Sequence, residues 1–216
     1  MNSDSIPIII NAFNRLTCLK ELVLFLQKLP NPVIILDNKS TYEPLLEYYK
    51  TLPYEIVYLP QNFGHEALWK SGQGSRFRGG RYVYTDPDVV PVEECPLDLI
   101  PHMVDIMNRY PQHLKLGMGL KIDDLPDHFP HKASVISWEG QFWKTLVEPG
   151  LYKADIDTTF ALHDPKQKQA WARSIRTGPP YIARHTTWYL DPNNLPEDEI
   201  FYKTSIQTIT HWSKAL

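Results

Sequence analysis

The residues with the most chemical promise are the two carboxylates of Asp86-Pro87-Asp88. Carboxylates at i and i+2 beyond an apolar strand can share the work on a hard cation and its bound phosphates. Mg²⁺ and Mn²⁺ favour oxygen ligands, and Mg²⁺ commonly uses one or two carboxylates together with substrate phosphates. The pattern alone is weak. A chain with this length and aspartate content carries roughly one Asp-x-Asp by chance, so context has to select it. Asp155-Ile156-Asp157 is a second match and makes the same point. In an extended segment its carboxylates share one face, with Ile156 opposite. Two carboxylates beside β-branched and aromatic residues are costly to bury unless paired or functional.

The context of Asp86 and Asp88 is a regular strand–helix alternation over the first 90 residues. Ile6–Ala12 reads as a buried strand. Leu16, Leu19, Leu22, Val23, Leu26 and Leu29 follow with helical spacing behind Thr17, a candidate N-cap. Val33–Asp37 is a second strand. Ser40 and Glu43 form a capping box for a helix running to Leu52. Glu55–Leu59 is a third strand, Gly64–Ser75 a weaker helix and Arg81–Thr85 a fourth strand. Such repetition predicts a parallel sheet with helices on both faces.

Ligands of open parallel sheets bind beyond the carboxyl ends of the strands. Here those ends carry Asn11-Ala12-Phe13-Asn14-Arg15, Asp37-Asn38, Gln61-Asn62-Phe63-Gly64-His65 and Asp86-Pro87-Asp88. Any one of these is an ordinary polar loop; their coincidence points to a site for a polar ligand. His65, behind Gly64 at a helix start, is placed to donate to a phosphate or a sugar.

The second half is less regular. Pro96–Tyr110 and Ala133–Thr145 read as helices, Leu114–Ile122, Asp155–Leu162 and Tyr181–Tyr189 as strands. Lys166–Ile175 reads as a short exposed helix and Glu197–Ala215 as a closing one. The 19 prolines punctuate loops throughout and mark no single boundary. One domain is expected over residues 1–216, with a ligand-binding half (1–90) and a second half (91–216).

Composition narrows the field. Apolar residues make up 43% and charged residues 22% of the 216, as in a folded globular domain. The formal net charge is −3, from 22 basic and 25 acidic residues, which disfavours nucleic acid as a partner. Cys18 and Cys95 imply no disulfide framework. No stretch approaches the ~20 apolar residues of a membrane span, and the N-terminus lacks a basic signal-like start. The expectation is a cytoplasmic protein.

The first 90 residues resemble a GT-A glycosyltransferase, most closely the family 2 type. The resemblance rests on the opening strand with Asn11-Ala12-Phe13-Asn14-Arg15, the strand ending in Asp37-Asn38, the Asn62-Phe63-Gly64-His65 turn, and Tyr82-Val83-Tyr84-Thr85-Asp86-Pro87-Asp88, in that order and spacing. Trp138-Glu139 and Ile156–Leu162 resemble a bacterial subgroup of unassigned substrate. The resemblance implies an α/β fold, with a Rossmann-like, mixed but mostly parallel sheet flanked by helices. It implies transfer of a sugar from a nucleoside-diphosphate donor, uridine-linked, to a carbohydrate or other hydroxyl acceptor with inversion. Asp37 would contact the base, and Asn11, Phe13, Asn14 and Arg15 the base and ribose, with Asn62 and His65 nearby. Asp86 would face the ribose and the metal, Asp88 would bind Mn²⁺ or Mg²⁺, and His185 would complete the metal site. One departure is plain: no acidic pair opens a helix where family 2 enzymes place the catalytic base.

Glycosyl transfer with inversion needs a general base for the acceptor hydroxyl. Asp157 is the preferred candidate, followed by Asp155 and Glu139. Trp138 offers an aromatic face for a sugar acceptor, and Asp123-Asp124, after the Leu114–Ile122 strand, would line the acceptor cleft. Two alternatives stand beside this reading. A haloacid-dehalogenase-like phosphohydrolase would use Asp86-Pro87-Asp88-Val89-Val90 with Asp123-Asp124, but its motif ends the first strand of its core, and here three strand–helix units come first. A domain that binds a sugar nucleotide or carbohydrate without turnover is the other.

Overall fold

Strand β1 (Ile8–Ala12) is buried at all five positions. A strand buried on both faces belongs in the middle of a parallel sheet covered on both sides. The computed structural model, which describes residues 3–156, 160–165 and 174–205, places β1 between β2 (Val33–Asp37) and β4 (Tyr82–Thr85), parallel to both. β3 (Glu55–Tyr58) continues the sheet parallel to β2 and forms its half-exposed edge. Register aligns the strand ends: Ala12 lies opposite Asp37, and Ile10 opposite Thr85. The loops after β1, β2 and β4 therefore leave from one edge.

Alternate residues of β1 feed two cores, as period-two geometry requires. Ile8 and Ile10 join the larger cluster, with Leu19, Leu22, Val23 and Leu26 of helix α1 (Thr17–Leu26). Ile9 joins a smaller one under Ala67 and Leu68 of α3 (Ala67–Lys70). α2 (Glu43–Tyr49) adds Leu45 and Tyr49 to the larger side.

The second half extends the same sheet. Among the described residues the order is β3-β2-β1-β4-β9-β6-β10-β8-β7, with β5 paired to β10. β9 (Ala161–His163) runs antiparallel between β4 and β6 (Lys115–Leu120). β10 (Ser174–His185) lies parallel to β6 and antiparallel to β8 (Leu151–Lys153), which pairs with β7 (Leu146–Glu148). The short β5 (Val89–Pro91) pairs antiparallel with the far end of β10, setting His185 opposite Val89. α4 (Leu99–Arg109) buries Leu99, Ile100, Met103, Ile106 and Met107. α5 (Lys132–Gly140) and α6 (Glu197–Ser205) complete the set. No helix among the described residues is long and apolar enough to cross a membrane.

Several sequence expectations change. The Ser40–Glu43 capping box does not form: Tyr42 is the N-cap of α2 and makes no side-chain cap. Ser40 instead accepts from the Asn14 amide. Thr17 is the first helical residue of α1, and its cap is a distant carboxylate described below. Asp155 and Ile156 are irregular, and the strand begins only at Ala161. Ile175, expected at a helix end, lies in β10; residues 166–173 of that expected helix are outside the described residues. The closing helix is described as Glu197–Ser205, and its expected continuation lies outside them too.

β6 and β10 approach closely at Gly119. A Cβ there would stand 2.6 Å from the Thr177 carbonyl oxygen and 2.5 Å from Cη2 of Trp143. The β6–β10 register shifts between Thr177 and Ile182, so this backbone has little freedom to move away. Gly119→Ala is expected to destabilise the fold by about 1–3 kcal/mol, the usual cost of overpacking. A lower urea midpoint with unchanged far-ultraviolet circular dichroism checks it.

Candidate active site

The four polar strand ends meet at the carboxyl edge of the parallel half. Asn11 at the end of β1 donates from Nδ2 to Asp86 Oδ1 and to the Gly64 carbonyl, both at 3.2 Å. Asn38 donates to the same carbonyl at 3.0 Å and accepts from the Phe63 amide at 2.7 Å. Gly64 has φ +67°, a left-handed conformation that glycine adopts without strain and that turns its carbonyl toward both asparagines. Asn11 Oδ1 is buried and has no hydrogen-bond partner among the described residues. A buried acceptor beside a carboxylate suits a ligand hydroxyl group.

Asp88 is the buried member of the aspartate pair. Its Oδ2 lies 2.7 Å from Arg15 Nη1 and 3.6 Å from His185 Nε2. Its carbonyl accepts from the Thr186 amide at 2.8 Å. His185 is stacked on Trp188 at 4.6 Å, and its Nδ1 lies 2.8 Å from the Thr187 hydroxyl, which leaves Nε2 facing Asp88. Residues 97 positions apart thus meet because β5 and β10 pair. Burial opposes ionisation of Asp88, yet His185 and Arg15 outweigh it and hold the carboxyl below its usual value. Burial likewise opposes the Arg15 charge, and Asp88 and Glu199 overcome it.

The donor set of Asp86, Asp88 and His185 has the oxygen and nitrogen chemistry that Mn²⁺ accepts. Among the described residues no three such side chains converge as a preformed metal cage. Asp88 Oδ2 is held by the Arg15 guanidinium. The residues fit a divalent cation in kind.

Other expected site residues have internal partners. Asp37 is 2% exposed and accepts from the Ser40 amide and the Tyr49 hydroxyl, so it braces the turn after β2 and does not reach the surface. Burial raises its pKa against those hydrogen bonds. Asn14, fully buried with φ +53°, accepts from the Thr41 and Tyr42 amides and so orders the chain before α2. Phe13 is half-buried; Asn62 and His65 are exposed.

The second-half candidates do not all gather with Asp88. Glu139 is buried in an ion pair with Arg176, 2.6 Å away, and Arg176 also donates to the Asp155 carbonyl. Expected as a base, Glu139 is used instead to tie α5 to β10, and its carboxylate is not presented to solvent. Asp155 is exposed. Asp157 lies outside the described residues. Trp138 is 53% exposed on α5, with Phe142 edge-on at 6.0 Å. Asp123 pairs with Lys121, while Asp124 accepts from Arg184 and Tyr189. Arg184 and Tyr189 in turn line a cavity of about 330 Å³ with Thr186, Thr187, Glu21 and Glu199.

Sequence reasoning expected the closing helix α6 but not its place at the site. Glu199 receives Nε and Nη2 of Arg15 at 2.9 and 3.0 Å, and the Tyr202 ring lies under the guanidinium at 3.7 Å. Asp198 Oδ2 accepts from the Leu16 and Thr17 amides, and Oδ1 from the Thr17 hydroxyl. It is the cap of α1, supplied from the far end of the chain. The only local signal was Glu197-Asp198-Glu199, which any helix start could carry.

No protein-family model and no curated protein sequence matches the chain. Solved structures do. Residues 1–349 of S. aureus TarS superpose with a TM-score of 0.50 at 12% identity, over 92% of this chain. Glucosyl-3-phosphoglycerate synthase from Mycobacterium tuberculosis, in complex with phosphoglyceric acid, gives 0.44 at 13% identity over 75%. The chain spans 63% and 57% of the length of those structures. The fold is that of a GT-A glycosyltransferase, a mixed sheet with a mostly parallel core flanked by helices. It is not the dehalogenase fold, in which the Asp-x-Asp strand comes first.

The Arg15–Asp88 pair yields a stability prediction with a definite sign. The folded pKa of Asp88 is depressed, so its contribution is complete above the ordinary carboxylate pKa of about 4 and is lost as pH falls through the lower folded value. Asp88→Asn, which leaves the Arg15 guanidinium with Glu199 alone, is expected to cost about 1–3 kcal/mol at neutral pH, the range for a lost charged hydrogen bond. Urea denaturation of both proteins across pH 3–7 should show that difference shrink at the acid end.

Proposed function

We propose that the chain transfers a sugar from a nucleoside-diphosphate donor, uridine-linked, to a hydroxyl of a carbohydrate or related acceptor, with inversion. The observation that carries this reading is the meeting of Asn11, Arg15, Asp86, Asp88 and His185 at the carboxyl edge of the parallel strands. That edge is where open α/β sheets bind nucleotides. The GT-A fold supports it.

In this proposal Asp86 and Asn11 Oδ1 take the ribose hydroxyls. Asp86, Asp88 and His185 would hold Mn²⁺ or Mg²⁺, whose charge stabilises the leaving nucleoside diphosphate. Arg15 adds a second positive charge at the same place. The acceptor lies toward the cavity bounded by Arg184 and Tyr189, which Asp124 orients, with Trp138 as an outlying aromatic face. The base is Asp157, or Asp155 in its place, since Glu139 is engaged by Arg176. Attack by the deprotonated acceptor oxygen breaks the bond from the anomeric carbon to the diphosphate.

Two measurements test the proposal. Uridine diphosphate with Mn²⁺ should raise the melting temperature much more than either alone; at a hundred times the dissociation constant the gain is about 2.7 kcal/mol. His185→Ala should weaken the Mn²⁺-dependent binding and leave metal-free nucleotide binding nearly unchanged. Absence of any nucleoside-diphosphate effect would remove the donor site. Asp157→Asn should nearly abolish turnover with donor binding intact. A chain that binds donor without turnover against any acceptor would be the non-catalytic binding domain instead.

A further inference from the structure

The donor-side loop after β1 is covered by the chain itself. Each of its polar or aromatic residues touches α6: Phe13 meets Tyr202 edge-on at 6.0 Å, Asn14 donates to the Ser205 hydroxyl at 2.9 Å, and Arg15 is forked by Glu199. Tyr42, just beyond the β2 loop, faces Phe201 at 5.1 Å. The Arg15–Glu199 contact is the decisive one. Two parallel N–H donors on two carboxylate oxygens is the geometry by which a guanidinium also takes a phosphate. Glu199 is 5% exposed and Asp88 4%. One arginine therefore serves two largely buried carboxylates, and its parallel Nε and Nη2 donors are occupied by Glu199.

We propose that the Arg15 guanidinium is a diphosphate site that Glu199 fills intramolecularly, so that α6 competes with the donor nucleotide. This rests on the donor reading above. When the diphosphate and its cation bind, Arg15 exchanges both carboxylates for phosphate oxygens. Asp88 is released to the cation, and Glu199 leaves because a buried carboxylate beside a diphosphate is repelled. The latch is built to open. Over the described residues α6 holds mostly through polar and aromatic contacts, and Ile200 is 52% exposed between them. Segments with so little apolar burial open at low free-energy cost. The apparent affinity for donor is then the intrinsic affinity scaled by the fraction of molecules with α6 displaced.

The experiment uses the full-length chain with uridine diphosphate and Mn²⁺ as the probe. Hydrogen exchange at the amides of residues 197–205 is followed with and without the probe, and calorimetry compares wild type with Glu199→Gln and Tyr202→Ala. The expected result is faster exchange in 197–205 when the probe binds wild type, and binding about five-fold tighter or better in the variants, the low end of typical coupling. Binding with equal or slower exchange in wild type, or with unchanged or weaker affinity in the variants, overturns the competition and leaves the donor reading standing. If the probe binds none of the three proteins, with or without Mn²⁺, the donor reading itself fails and the latch fails with it. The exchange measurement on wild type needs no variant to fold.

Discussion

The charge of Arg15, largely buried between Asp88 and Glu199, is the constraint on which the rest of the site depends. It is contributed by the loop after β1, while Asp88 follows β4 and Glu199 sits on α6. One guanidinium therefore joins the first strand, the fourth strand and the last described helix. Removing Arg15 leaves two buried carboxylates without it, which costs more than the pairs are worth by themselves. Such an arrangement is weak evidence of stability but strong evidence of specification. It determines which loops meet and how.

That specification has a chemical consequence. Arg15 neutralises Asp88, and Glu199 in turn orders Arg15, so these charges are satisfied by one another. Around them, backbone accounting follows the same logic. Asp198 caps α1, Asn14 orders the approach to α2, and Asp37 braces the turn between them. Several polar residues at the strand ends are thus occupied in holding the loops.

The parallel half of the sheet was legible because its signals are local. Four apolar runs alternate with helical spacing, and the observed strands fall within a residue or two of those runs. Polar residues at strand ends could be read the same way. The second half was less legible. Strands β7, β8 and β9 are only three residues long, several strands run antiparallel, and β10 passes through a register shift between Thr177 and Ile182, so no single period marks them. The capping box at Ser40 failed because Asn14, 26 residues away, draws the hydroxyl into its own hydrogen bond. Local chemistry proposed a partner, and tertiary contact supplied a better one.

What the sequence determined by itself is the order of elements, the burial of β1 and the set of side chains delivered to one edge of the sheet. Those follow from hydrophobic period and from the rule that parallel strands end on a common side. What only the tertiary structure decided is which of those side chains remain open. Glu139 reads as an acid on an aromatic helix, yet it is consumed by Arg176 across the sheet. His185 is tied to Asp88 in the sequence only through the family resemblance, and it is β5–β10 pairing that brings the two together. Glu199 reads as an ordinary acidic helix start, yet it holds the central arginine. The physical reason is common to all three. Ionic and hydrogen-bond partners are chosen by proximity in three dimensions, across separations that no local pattern in the chain encodes.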